Sequence, residues 1–134
     1  MAQPNHDNAT EAKLTAAIRD AITRRARLWV TFNNFRRLIE PYRLWRQPDG
    51  TYLLESHQNA GGSGWGDMHA EGFTPSPLGG YEAWINMPLE KIGSIAPAGG
   101  PFTPRDDYNP DPVRVLGEVI EQVQIPAATA SPGG

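Results

Sequence analysis

Five basic residues, Arg36, Arg37, Arg43, Arg46 and Lys91, lie near four aromatic ones in sequence, Tyr42, Trp45, Tyr52 and Trp84. Guanidinium groups grip phosphate through paired donors and aromatic faces stack bases, so this combination suits a nucleotide or a single-stranded nucleic acid. Arg36, Arg37, Tyr42, Arg43, Tyr52, Trp84 and Lys91 are therefore the candidate ligand-binding residues. Strand alternation alone also interleaves Arg with aromatics, because Arg stems cover apolar surface.

A second group is weaker. Asp67, His69 and Glu71 alternate in an extended stretch not far from His57, so they could offer oxygen and nitrogen ligands to zinc. No helix or strand is expected to hold them there, and a solvated loop explains them as well, so no metal and no cofactor is assigned. Ser56 beside His57 is adjacency rather than a triad, since neighbouring strand residues point to opposite faces. There is no nucleophile elbow, phosphate loop, dinucleotide fingerprint or two-carboxylate pattern. With no cysteine, thiolate ligands, thiol nucleophiles and disulfides are excluded. The expectation is a protein without catalytic activity.

The elements that must position these residues read clearly in the centre of the chain. Asn8 and Glu11 make a start like a capping box, and Leu14, Ala17, Ile18, Ala21 and Ile22 fall at helical spacing, which predicts a helix from Ala9 to Arg24. Leu28, Val30 and Phe32 then alternate with Trp29, Thr31 and Asn33 as a strand buried on one face. Asn33 and Asn34 tolerate left-handed backbone and suit a two-residue hairpin turn. A second strand follows from Phe35 to Trp45, with a bend or an edge at Pro41. Pro48, Asp49 and Gly50 signal a turn before a third strand, Thr51 to His57.

From Gln58 to Gly80 the periodicity dissolves into a Gly-rich stretch expected to be functional or mobile, in which Trp65 and Phe73 could anchor a partner or fold back on the domain. Tyr81 to Met87 and Ile92 to Ala96 are two further strands. Pro97 to Asp111 should wrap the surface, with Phe102 and Tyr108 as anchors. Asp111 and Pro112 look like the start of a second helix, with Leu116, Val119, Ile120 and Val123 as its apolar stripe to Gln124. Residues 1–8 and 125–134 read as a flexible start and a disordered tail around one domain, 9–124. The fold class expected is mainly β with flanking helices (α+β): a small β-barrel with one N-terminal and one C-terminal helix.

Charge divides the chain. Nine of its 12 basic residues fall between Lys13 and Arg46, against only Asp20 and Glu40, while 11 of the 15 acidic residues follow Gln47. One basic and one acidic face are expected. No apolar run approaches the roughly 20 residues of a membrane span, and no secretory leader is seen, so a cytoplasmic location without membrane contact is expected.

Several of these residues resemble the WYL domain, a bacterial module with an SH3-like or Sm-like barrel. The Arg-rich helix end, the strand closing at Phe32, and Arg37, Leu38, Ile39, Glu40, Pro41 and Tyr42 look like its opening; Met87 to Ile92 fall on a later motif. The resemblance spans residues 14 to 96. It implies an effector-binding or regulatory role with a nucleotide or single-stranded nucleic acid as ligand, and a separate DNA-binding protein as partner. Two positions depart from the family: Thr51 stands where its naming Trp would fall, and Pro88 where a ligand-associated Arg would. A rival reading is a protein-interaction or assembly module, including a homo-oligomer, that adds strands at unpaired barrel edges.

Overall fold

Helix α1 (Asn8–Arg24) buries Leu14, Ile18, Ala21 and Ile22 of the predicted stripe against the sheet and leaves its fifth member, Ala17, exposed. It stops in a left-handed residue, Arg25 at φ 56°, whose N–H donates to Ile22 O while Ala26 N–H donates to Ala21 O. That bond pair closes the last turn in the manner of a Schellman cap. The computed structural model describes residues 8–62, 74–110 and 117–125.

Seven strands follow among the described residues: β1 (Leu28–Phe32), β2 (Phe35–Arg46), β3 (Tyr52–Gly61), β4 (Thr74–Pro75), β5 (Tyr81–Pro88), β6 (Ile92–Pro97) and β7 (Glu118–Gln122). They form one antiparallel sheet in the order β4-β5-β3-β2-β1-β6, with β7 also paired to β2. A 3-10 turn, Leu89–Lys91, joins β5 to β6. The Asn33–Asn34 turn has φ of 52° and 68°, the geometry the two asparagines predict, and it sets the Phe32↔Phe35 register. The next turn places Gly50 at φ 92°, with Asp49 Oδ1 accepting from Thr51 N–H at 2.9 Å.

Pro41 lies inside the sheet rather than at its edge. The β2–β3 register jumps from Pro41↔Ser56 to Arg43↔Glu55, leaving Tyr42 as the extra residue of a bulge. On the far side of β2, β1 pairs with Phe35 to Ile39 and β7 with Arg43 to Arg46, so the two lie end to end along one strand.

The C-terminal helix is not formed where it was expected. Its predicted start, 111–116, lies outside the described residues, and Glu118–Gln122 is strand β7. Val119 and Ile120 are β-branched and satisfy either period over so short a run, and the unpaired half of β2 decides for a strand. Strand β3 also runs four residues beyond His57, to Gly61. Residues 63–73, with Trp65, Asp67, His69, Glu71 and Phe73, lie outside the described residues, as do 1–7 and 126–134.

After β6 the chain forms a strap, residues 98–110, across the sheet. Its first part continues the β1 ladder, Ala98 N–H to Arg27 O and Arg27 N–H to Gly99 O, and Phe102 N–H then donates to Arg25 O. Phe102 and Tyr108 are buried in the same core cluster as α1 and the sheet, as their predicted anchoring role requires.

Candidate ligand-binding site

Direct cross-strand partners share a face in an antiparallel pair, so the register Glu40↔His57↔Trp84 lines up an acid, an imidazole and an indole across β2, β3 and β5. The strap covers them. Tyr42, two residues beyond Glu40, donates its hydroxyl to Glu40 Oε1 at 2.9 Å and accepts from Arg105 N–H at 2.8 Å. Burial first, and the Glu40 carboxylate beside it, push the Tyr42 hydroxyl well above its ordinary pKa, so it stays protonated. The other Glu40 oxygen receives Arg27 Nη2 at 3.3 Å.

Arg27 also fixes the state of His57. Its Nε donates to Asn59 Oδ1 at 3.0 Å, which leaves the Asn59 amide nitrogen as donor to His57 Nδ1 at 2.9 Å. His57 Nδ1 must therefore be the unprotonated nitrogen. Burial and the positive charge of Arg105, partly countered by Asp107, lower the His57 pKa to about 4, in agreement with that geometry.

Three aromatic rings close around Tyr42. Trp84, Phe102 and Tyr108 lie 4.8, 5.3 and 4.7 Å from it, and Trp84 stacks on Tyr108 at 5.9 Å. The strap tip is clamped by Asp107, which accepts from Trp84 Nε1 at 3.2 Å and from Arg105 Nε at 3.0 Å. These contacts hold the Asp107 carboxyl below the usual range, that from Arg105 most of all. Beside the clamp a cleft of about 210 Å3 opens between Glu55, Trp84, Ile85, Asn86, Asp107, Tyr108 and Asn109.

The seven predicted binding residues do not converge on one surface. Tyr42 and Trp84 belong to the cluster just described. Arg43 is fully buried beneath it: Nε and Nη2 donate to the Tyr108 hydroxyl at 3.1 and 3.0 Å, Nη2 to Asn109 O at 2.6 Å, and Nε faces Glu55 Oε1 at 3.5 Å. Arg37 is fully buried elsewhere, donating to Phe32 O and Gln58 Oε1 at 3.2 Å each. Tyr52 is half-buried, with the Arg46 guanidinium 5.9 Å over its ring. Trp45 is half-buried near the same end of β2.

Arg36 and Lys91 are the exposed cations of the seven. The Arg36 guanidinium sits 4.5 Å over the Trp29 ring, and Thr31↔Arg36 and Trp29↔Leu38 place all four on one side of the β1–β2 hairpin. Next to them is an open depression of about 320 Å3 lined by Thr31, Asn33, Asn34, Lys91 and Gly93, with no carboxylate among the described residues of its wall.

Sequence reasoning passed over Glu40, Arg27, Asn59, Arg105 and Asp107 as site residues, and took His57 only as a candidate for metal or acid/base chemistry. The spacing of Glu40 and Tyr42 on one strand carried a local signal. The part played by strap residues depends on where an irregular segment lands. Among the described residues no group of three or more His, Asp or Glu could hold a metal ion. No described helix is long and apolar enough to cross a membrane. Set against known protein families, curated proteins and solved structures, the chain matches none of them.

Proposed function

We propose that the chain is a non-catalytic binding module of SH3-like architecture, resembling the WYL domain, that takes a nucleotide or single-stranded nucleic acid. Support for the architecture comes from the strand order, the long bulged β2, and the 3-10 turn leading into β6, which returns to β1. The observation that carries the ligand is the exposed Arg36 guanidinium stacked on Trp29, next to a depression that holds Lys91 and, among the described residues, no acid. A ring and two cations on one open surface match the stacking and phosphate-tracking needs of a single strand. Arg37 and Arg43 are committed to internal partners, which moves the binding surface to the outer side of the hairpin.

The test is fluorescence anisotropy of a short labelled oligothymidine at two salt concentrations, with wild type and the exposed-surface double variant R36E/K91E. Binding that weakens with salt and falls at least tenfold in the variant is expected, each lost phosphate contact removing roughly 0.7 from the log–log salt slope. Equal affinity in a folded variant would refute the site.

A groove of about 380 Å3 between α1 and β6, lined by Ala17, Ala21, Leu28, Ile95 and Pro97 among others, favours a second reading, an interaction module that binds an extended segment. Salt-insensitive binding of a peptide, with no oligonucleotide retained, would select it.

A further inference from the structure

The outer side of the hairpin carries a pair of hydroxyls as well as its cations. Thr31 is the direct partner of Arg36 on β2 and of Ser94 on β6, so the three project from one face of three adjacent strands. Thr31 Oγ1 and Ser94 Oγ are hydrogen-bonded at 2.7 Å, where Ser94 is exposed and Thr31 half-buried. Thr31 also lines the depression that holds Lys91. We infer that this surface distinguishes RNA from DNA, the hydroxyl pair receiving a ribose 2′-hydroxyl. The inference rests on the nucleic-acid reading proposed above and deepens it.

Phosphate and base do not discriminate. The Arg36 guanidinium, backed by the Trp29 ring, can meet a phosphate at its edge and a base on its outer face, and Lys91 can meet a second phosphate. RNA and DNA share both groups, so these residues supply affinity without telling the two apart.

The sugar decides. Thr31 adjoins both cations, so a strand that places consecutive phosphates at Arg36 and Lys91 carries the sugar between them over the hydroxyl pair. The bond within the pair uses one hydroxyl hydrogen and one lone pair; the second hydrogen and the other lone pairs remain for a ligand. A 2′-hydroxyl is donor and acceptor at once and can join the pair on both counts. Deoxyribose has only C–H there, and covering the pair would cost hydration with no hydrogen bond in return. A Thr–Ser pair across two strands also supports the sheet by itself. Its place between two exposed cations is what gives it a ligand.

The test compares labelled oligouridine with oligodeoxyuridine of the same length, which differ at the 2′ position alone. Anisotropy titrations of the full chain would use wild type, S94A and T31V/S94A, with circular dichroism checking the fold of each variant. Wild type should bind the RNA about fivefold or more tightly than the DNA, the worth of roughly one hydrogen bond. The ratio should shrink in S94A and fall to about one in T31V/S94A. Equal wild-type affinities overturn the inference and leave the nucleic-acid reading standing, and that comparison needs no variant to fold. A preference undiminished in both variants overturns it as well. Retention of neither oligomer overturns the reading and this inference together.

Discussion

Tyr42 shows how much one hydroxyl can organise. It links the sheet to the strap by donating to Glu40 and accepting from Arg105 N–H, both in a site closed to water. Removing it in Tyr42→Phe leaves a buried carboxylate oxygen and a backbone N–H each short of a partner. That should cost about 1–3 kcal/mol, read as a lower urea midpoint at constant slope. His57 supplies a pH signature in the same cluster. The unfolded chain protonates it near 6.5 and the folded chain only at about 4, so between those values the unfolded state holds the extra proton. Stability must fall as pH drops through this window, by up to about 3 kcal/mol at 1.36 kcal/mol per pKa unit. Urea midpoints from pH 7.5 to 5 should show the slope in wild type and lose most of it in His57→Gln. A flat wild-type profile would mean that His57 is not held neutral.

At the scale of elements, strand β2 is fastened by arginines that do not face water. Arg43→Ala strands Glu55 and the Tyr108 hydroxyl without their guanidinium and should destabilise by about 3–5 kcal/mol. Arg36→Ala, on an exposed side chain of the same strand, should change stability by less than about 1 kcal/mol. Denaturation of both variants checks the contrast, and equal losses would contradict the burial of Arg43. The sequence could not separate them. Arg36 and Arg37 are neighbours of the same type, and which one turns inward is set by the Phe32↔Phe35 register that the asparagine turn fixes. Where local chemistry was decisive, as in the α1 stripe, the two hairpin turns and the alternation of β1, the elements lie within a few residues of their predicted places. The segment 118–122 differs from its expected helix because five residues with two β-branched members, Val119 and Ile120, fit either period until a vacant strand edge is known.

On the scale of the whole molecule, the strap decides whether the polar cluster is a fixed part of the fold or a closable site. Phe102 is 3% exposed and shares one core cluster with Ile18 of the helix and Leu54 of the sheet, so the strap is fastened to both layers. Its backbone is tied at Arg25 O, just past the end of α1, and at the Tyr42 hydroxyl on β2. A segment so anchored should open only with the global transition, and the Arg105 N–H should exchange with solvent at the globally protected rate. Phe102→Ala removes the larger apolar anchor and should lower stability by about 3–5 kcal/mol. Because the strap unfolds with the rest, Trp84 fluorescence and far-UV circular dichroism should still report one coincident transition in that variant. An early fluorescence change, ahead of loss of the sheet signal, would show instead that the strap releases by itself.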